Sequence, residues 1–298
     1  MTEFTEHPVV FDSDGIELIG IVATPAQLAH KTGVVVVVGG PQYRVGSHRQ
    51  FTLLCRELAG RGIASFRFDY HGLGDSAGPP ALGVEGVEND MRAAIDAFMA
   101  HTPGLRSTVL WGICGAASAS ALYAPSDRRV AGLVMLNPWV RTESGLAKAQ
   151  LRYYYLSRLV DPEFWHRIVR GDVALMSSIP SFARNLLSAA RTRNRESDRA
   201  MSDHGQPLAP EPDIPSLPDR MLDSLHQANL PVLLILSGQD DLTANEFRQL
   251  SRDSRDWRRW TSGPSVEWHE ISGSNHTFAR SDWRGRVEDL TARWVLAH

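Results

Sequence analysis

The chain alternates between short apolar runs and longer stretches in which apolar residues recur at helical spacing. Several runs have the length and the β-branched content of buried strands. They are Val34–Val38, Ile63–Asp69, Val109–Trp111, Val130–Leu136, Pro231–Ser237 and Val266–Ile271. Helical spacing predicts helices at Arg49–Arg61, Val84–Met99, Asp219–Gln227 and Trp283–Ala297.

A further pair of strands is predicted near the amino terminus. Val9–Phe11 and Ile16–Ala23 flank the turn sequence Asp12–Gly15, a pattern typical of an antiparallel hairpin. Beyond this hairpin, strands and helices alternate. The alternation predicts an α/β fold with a mostly parallel, doubly wound sheet and helices on both of its faces.

The alternation stops between residues 139 and 229. This segment shows no convincing strand pattern, is rich in aromatic residues and contains a long polar stretch at Arg191–Pro218. Helices are predicted there at Thr142–Leu159, Pro162–Arg170 and Ser177–Ala190. We therefore predict a sheet domain formed by residues 1–138 and 230–298, with a helical lid inserted at residues 139–229.

The stretch with the most specific chemistry begins where the Val109–Trp111 strand ends. Gly112–Ala116 is a sharp turn with a cysteine, Cys114, at its centre, and small residues suited to a closely packed helix follow it. Such a turn projects its central side chain from the sheet, at the positive end of a helix. Cys114 is therefore the candidate nucleophile, although a small buried cysteine is the alternative. Cys55 falls on an apolar helix face and is expected in the core.

A thiol nucleophile needs a base, and the base needs an orienting acid. His276 follows the Val266–Ile271 strand, and Asp240 and Asp241 follow the Pro231–Ser237 strand. Ligand-facing residues in such sheets lie just beyond the carboxyl ends of the strands. Asp241 is favoured as the acid because of its offset from Gly238, and Asp240 stays the alternative.

Acyl transfer also needs donors for the oxyanion. The N–H of Gly115 is the first candidate, and the second is expected in the loop after Val34–Val38. Because Pro41 has no N–H, Gln42 is the candidate there, through its backbone or its side chain. Tyr43 and Arg44 follow and are candidate substrate-binding residues at the mouth of the site, where a cation suits an anionic substrate. A solvated loop is the alternative for both.

Composition limits the classes of function. The chain has 298 residues, with 34 acidic and 31 basic side chains and a net charge of −3, which disfavours nucleic-acid binding. Its two cysteines suit a reducing compartment rather than a disulfide framework. Without a signal-peptide pattern or a run long enough to span a bilayer, the chain is expected to be cytoplasmic and not transmembrane. No metal or cofactor motif is found, and the oligomeric state stays open.

Several segments resemble a known family. The order Cys114, Asp241, His276 is the nucleophile–acid–histidine order of the α/β-hydrolases. The chain resembles their serine-aminopeptidase and lysophospholipase-like group, and most closely the hydrolase 1 family associated with exosortase A systems. The segments that carry this resemblance are GGPQYRVGSHRQF, RFDYHGLGDS, WGICGAASA, LVMLNPWVRTESGLA, SGQDDLTANEF and SGSNHTF. The resemblance implies a bacterial setting linked to exopolysaccharide and protein sorting.

These observations lead to one functional hypothesis and two rivals. The hypothesis is a hydrolase of esters or thioesters with a Cys114–His276–Asp241 triad, acting on a small-molecule or glycan-linked acyl substrate. The first rival is an acyltransferase, in which the same acyl-cysteine passes its acyl group to an alcohol or an amine. The second rival is a non-catalytic scaffold in an envelope-biosynthesis complex.

Overall fold

The computed structural model describes residues 3–39, 42–79, 84, 86–141, 215–238 and 241–298. The predicted lid helices lie outside these ranges, as does Asp240. Residues up to Arg141 and from Ser216 onward form one compact unit that contains the sheet.

The sheet has eight strands. In chain order they are β1 (Phe4–Ser13), β2 (Ile16–Pro25), β3 (Thr32–Val37), β4 (Ser65–Phe68), β5 (Ser107–Ile113), β6 (Val130–Leu136), β7 (Val232–Leu236) and β8 (Val266–Glu270). Across the sheet the order is β1-β2-β4-β3-β5-β6-β7-β8. The β1–β2 and β2–β4 pairs are antiparallel, and the other neighbours are parallel. The predicted parallel sheet with an amino-terminal antiparallel hairpin is confirmed.

Helices surround the sheet. In the described part of the chain they are α1 (Gln50–Gly60), α2 (Glu88–His101), α3 (Gly115–Tyr123), α4 (Leu217–Ala228), α5 (Leu242–Asp253), α6 (Arg255–Thr261) and α7 (Ser281–Ala297). Helix α2 begins at Glu88 rather than at the predicted Val84. Gly86 has a φ of 78°, a left-handed conformation that a right-handed helix cannot include.

Helices α5 and α6 are absent from the sequence-based prediction. Both are dominated by Arg, Asp and other polar residues, so their apolar stripe is narrow. Phe247, Trp257 and Trp260 form this stripe and are buried in the core. Three large aromatic rings thus anchor two helices whose overall composition is polar. Packing of one apolar face against the core decides their position, although most of their residues are polar.

The core occupies both faces of the sheet, as side chains alternate along each strand. On β3, Val35 and Val37 belong to the cluster that includes residues of α2, α3 and α5. Val34 and Val36 belong to the opposite cluster, with residues of α1 and α7. Full burial of one such side chain contributes about 1.5–3 kcal/mol. This two-sided burial explains the continuous valine run of β3.

The carboxyl ends of the parallel strands meet at one edge of the sheet, where ligands bind in folds of this kind. The loops after β3, β5, β6, β7 and β8 all begin there. Helix α4, at the end of the predicted lid segment, packs against α3 and buries Met221 and Leu225. None of the helices in the described ranges combines the length and the apolar content needed to cross a bilayer.

Candidate active site

Cys114 occupies a strained turn between β5 and α3. Its φ of 58° and ψ of −124° are unusual for any residue other than glycine. Its N–H donates to the Leu136 carbonyl at 2.8 Å, and its carbonyl accepts from the N–H of Ala117 at 3.0 Å. Such a conformation costs of the order of 1–3 kcal/mol and persists only where its surroundings impose it.

Small residues beside the turn make this conformation possible. A Cβ on Gly112 would lie 2.6 Å from the carbonyl carbon of Ala116. A Cβ on Gly39, at the start of the loop after β3, would lie 2.7 Å from the nitrogen of Ala116. Both positions therefore require glycine, and the loop after β3 lies directly against the amino end of α3.

Asp241 and His276 form the pair predicted from the sequence. His276 Nδ1 lies 2.9 Å from Asp241 Oδ2. Asp241 caps α5, with Oδ1 accepting from the Thr243 N–H at 3.0 Å. Burial opposes ionisation of this carboxyl, but hydrogen bonds from His276 and Ser237 outweigh it and lower the pKa of Asp241. The carboxylate is thus held ionised beside the histidine.

The histidine is held in its charged form. Burial would lower the pKa of His276, but hydrogen bonds with Asp241 and with Cys114 raise it to about 10. Because Asp241 engages Nδ1, the other ring nitrogen, Nε2, is the one available to the sulfur. The pKa of His276 thus lies above neutral pH, and Asp241 and Cys114 both favour the protonated imidazole.

The predicted oxyanion donors lie at the same edge of the sheet. Gly115 is the first residue of α3, and within the described ranges no acceptor faces its N–H. Gln42 is half-buried, and its Oε1 is enclosed without a hydrogen-bond partner among the described residues. Gly40 and Pro41, between Gly39 and Gln42, lie outside these residues.

The two predicted mouth residues have different surroundings. Tyr43 is exposed. Arg44 is bound internally: its guanidinium forms ion pairs with Asp69 and, at 2.6 Å, with Asp75, and its N–H donates to Asp69 at 2.5 Å. The charge of Arg44 is thus met by two carboxylates of the loop after β4, a pairing that the sequence does not reveal.

Two further residues at the site were not found from the sequence. Asn137 follows β6, and Ser237 follows β7. Asn137 donates to the carbonyl of His276, and Ser237 donates to Asp241. The signal available in the sequence is their position, since each is a polar residue directly after a buried parallel strand. Among the described residues, no group of three or more His, Cys, Asp or Glu side chains is arranged to hold a metal ion.

Known structures share this architecture. The chain is similar to the esterase Pf2001 of Pyrococcus furiosus, with 16% identity, a TM-score of 0.60, and coverage of 99% of this chain and 94% of that chain. It is also similar to a proline iminopeptidase of Mycobacterium smegmatis, with 15% identity, a TM-score of 0.59 and 98% of each chain covered. Est1E of Butyrivibrio proteoclasticus, with ferulic acid bound, gives 14% identity and a TM-score of 0.56, and the match covers 97% of this chain and 98% of that chain. The fold is that of the α/β-hydrolases.

The sequence identifies the family within this class. Residues 29–255, more than half of the chain, match the family described as serine aminopeptidase, S33. The chain therefore belongs to this family of hydrolases. A comparison with curated protein sequences gave no match. The family name implies a serine nucleophile, whereas this chain has Cys114 at the turn after β5.

Proposed function

We propose that the protein hydrolyses an ester or thioester bond through a Cys114–His276–Asp241 triad. The observation that carries this proposal is the 2.9 Å contact of Asp241 Oδ2 with His276 Nδ1, in a site where Cys114 acts with Asp241 to raise the pKa of that histidine. A nucleophile, a base and an orienting acid in contact are the arrangement that acyl transfer requires. The strained turn at Cys114 supports the same assignment, since strain of this kind concentrates at functional sites.

The reaction divides into two steps. In the first, Cys114 Sγ forms a bond to the substrate carbonyl carbon, and the oxygen develops a negative charge. The backbone N–H of Gly115 donates to this oxyanion, and Gln42 donates through its backbone N–H or its side-chain NH2 group. Its collapse breaks the bond to the leaving alcohol or thiol, which takes a proton from His276. In the second step, His276 accepts a proton from water, which attacks the acyl-cysteine and releases the acid.

The charge state of His276 determines which form of the site begins the reaction. Although burial lowers the pKa of His276, Asp241 and Cys114 raise it to about 10, so the imidazole carries its proton at pH 7. A protonated His276 and the amino end of α3 both bring positive charge to the site in which the sulfur attacks. In the proposed reaction the sulfur attacks as the anion of a Cys114–His276 ion pair, and His276 acts first as the acid.

This chemistry favours thioesters and activated esters over amides. Transfer of an acyl group from a substrate thiol to Cys114 exchanges one thioester for another, whereas an amide must expel a poor leaving group.

The test is to measure turnover of an oxyester, a thioester and an anilide with the same short acyl group. We expect kcat/KM to be highest for the thioester and the activated ester.

The control for this experiment is Cys114→Ala, which removes the sulfur and keeps a small residue in the turn. It should abolish turnover of both favoured substrates. Turnover that persists in this variant, or a preference for the anilide, would overturn the proposal.

The family resemblance of the sequence segments suggests the source of the acyl substrate. We propose that the acyl substrate belongs to a bacterial exopolysaccharide or exosortase-linked system and is a small molecule or a glycan-linked group. A strain lacking the protein should change in the acyl content of its exopolysaccharide, measured by NMR. The wild-type chain should restore that content, and Cys114→Ala should not. Full restoration by Cys114→Ala would instead favour a scaffold.

A further inference from the structure

Two buried polar residues outside the triad connect the ends of three neighbouring strands. Asn137 follows β6 and is fully buried, with a φ of 43°. Its Oδ1 accepts from the N–H of Ser237 at 2.8 Å, and its Nδ2 donates to the His276 carbonyl at 3.0 Å. One side-chain amide therefore joins the loop that carries the acid to the loop that carries the histidine.

Ser237 is itself held at both ends of its backbone. Its N–H is bound by Asn137, and its carbonyl accepts from the guanidinium of Arg248, which is itself buried. The Ser237 hydroxyl donates to Asp241 Oδ2 at 2.5 Å. This is the same oxygen that lies 2.9 Å from His276 Nδ1. A hydroxyl on a fixed backbone thus points at the oxygen that orients the histidine.

We propose that Ser237 is a positioning residue of the active site. Its hydroxyl fixes Asp241 Oδ2 at the point where His276 Nδ1 contacts it, and Asn137 holds the backbone of Ser237 in place. Without the hydroxyl, Oδ2 loses its buried donor, and the Thr243 N–H at Oδ1 alone anchors the carboxylate to the protein beside the imidazole. The direction of the imidazole is then less closely fixed. The kinetic consequence of this inference rests on the proposed function. Ser237 and Asn137 act through Asp241 and do not touch the substrate.

The test combines kinetics with NMR of Ser237→Ala and Ser237→Cys. For Ser237→Ala we expect kcat to fall about tenfold to a hundredfold, as a misplaced catalytic group does. KM should change little because Ser237 is fully buried. The low-field proton resonance of the Asp241–His276 hydrogen bond should shift or broaden. Ser237→Cys, with a weaker donor of similar size, should be intermediate in both readouts.

The matched control is Ser65→Ala at the start of β4. Ser65 is also fully buried, and its hydroxyl donates to the Cys55 carbonyl at 3.2 Å, at the opposite edge of the sheet. This variant should leave kcat and the low-field resonance unchanged.

Two outcomes overturn the inference. One is a folded Ser237→Ala protein with wild-type kcat and an unmoved resonance. If Ser237→Ala does not fold, the same result for Ser237→Cys overturns it. The resonance reports on Asp241 and His276 whether or not Cys114 is the nucleophile. Failure of the proposed function, seen as turnover in Cys114→Ala, is thereby separated from failure of the positioning role.

Discussion

The two cysteines of this chain lie in regions that give the same side chain opposite properties. Cys55 lies within α1 and is fully buried against the sheet. Burial raises the pKa of the Cys55 thiol, although nearby Arg67 acts in the opposite direction. Cys114 is partly exposed, lies in a strained turn and acts with Asp241 to raise the pKa of His276. Cys55 thus has the surroundings of a core residue, and Cys114 those of a reactive thiol.

The difference comes from backbone and partners rather than from residue type. At Cys55 the surrounding core hides the sulfur from solvent. At Cys114 the positive φ presents the sulfur at the amino end of α3, beside an imidazolium. Substitutions at the two cysteines, or at the partners that only Cys114 has, should therefore have different effects.

The largest expected effect is on turnover of paired alanine variants. Cys114→Ala should lower kcat by about 10⁴-fold or more, as loss of a nucleophile does. Cys55→Ala should leave kcat within about twofold but lower the free energy of unfolding by about 1 kcal/mol, through the small cavity left in the core. Steady-state kinetics and denaturant unfolding measure both. Equal losses of turnover in the two variants contradict the contrast.

The second-largest effect is expected at Asp241, the acid that orients His276. Only Cys114 has such a histidine–acid pair as its partner. Asp241→Asn should lower kcat by up to about 10⁴-fold, because the imidazole loses its orienting carboxylate. It should also slow alkylation of Cys114 and leave Cys55 unaffected. Asp240→Asn is the control and should retain most of the activity. The opposite ranking of the two variants would move the acid to Asp240.

A smaller effect is expected in the alkylation rates of the native protein. Iodoacetamide should modify Cys114 at least about tenfold faster than Cys55, because the rate follows thiolate content and access. Mass spectrometry of peptides over a time course gives both rates in one sample. Denatured protein is the control, since unfolding exposes both thiols and should bring the two rates together.

The smallest effect is a shift in the titration of His276. Because Cys114 helps to raise its pKa to about 10, Cys114→Ala should lower that pKa toward 6.5, while Cys55→Ala should not change it. Protonated His276 stabilises the fold most below pH 6.5, and this contribution fades as pH rises through about 10. NMR titration of the imidazole measures the shift. An unchanged pKa in Cys114→Ala means that the sulfur does not act on His276.

Much of the fold follows from the sequence because burial on two faces leaves a clear pattern. The valine run of β3 and the turn before β2 are predicted correctly for this reason. Helices α5 and α6 are not, since Phe247, Trp257 and Trp260 are too few to mark a helical stripe among charged residues. Their burial depends on the sheet against which they pack.

Some contacts of the active site can likewise be predicted from the sequence, and others cannot. The contact of His276 with Asp241 follows from chain order and from the meeting of strand ends at one edge. The roles of Asn137 and Ser237 do not, because a small polar residue after a strand gives no sign of its partner. The binding of Arg44 by Asp69 and Asp75 is equally hidden, since it depends on how two loops fold beside each other.

The most direct test of the central claim is to trap the acyl-enzyme and locate the acyl group. Wild-type protein, mixed with an activated ester and quenched in acid within one turnover, should gain the mass of one acyl group. Peptide mapping should place it on Cys114 as a thioester that hydroxylamine removes at neutral pH. An acyl group on Cys55 or on a serine, or turnover without any acylated Cys114, would contradict the account.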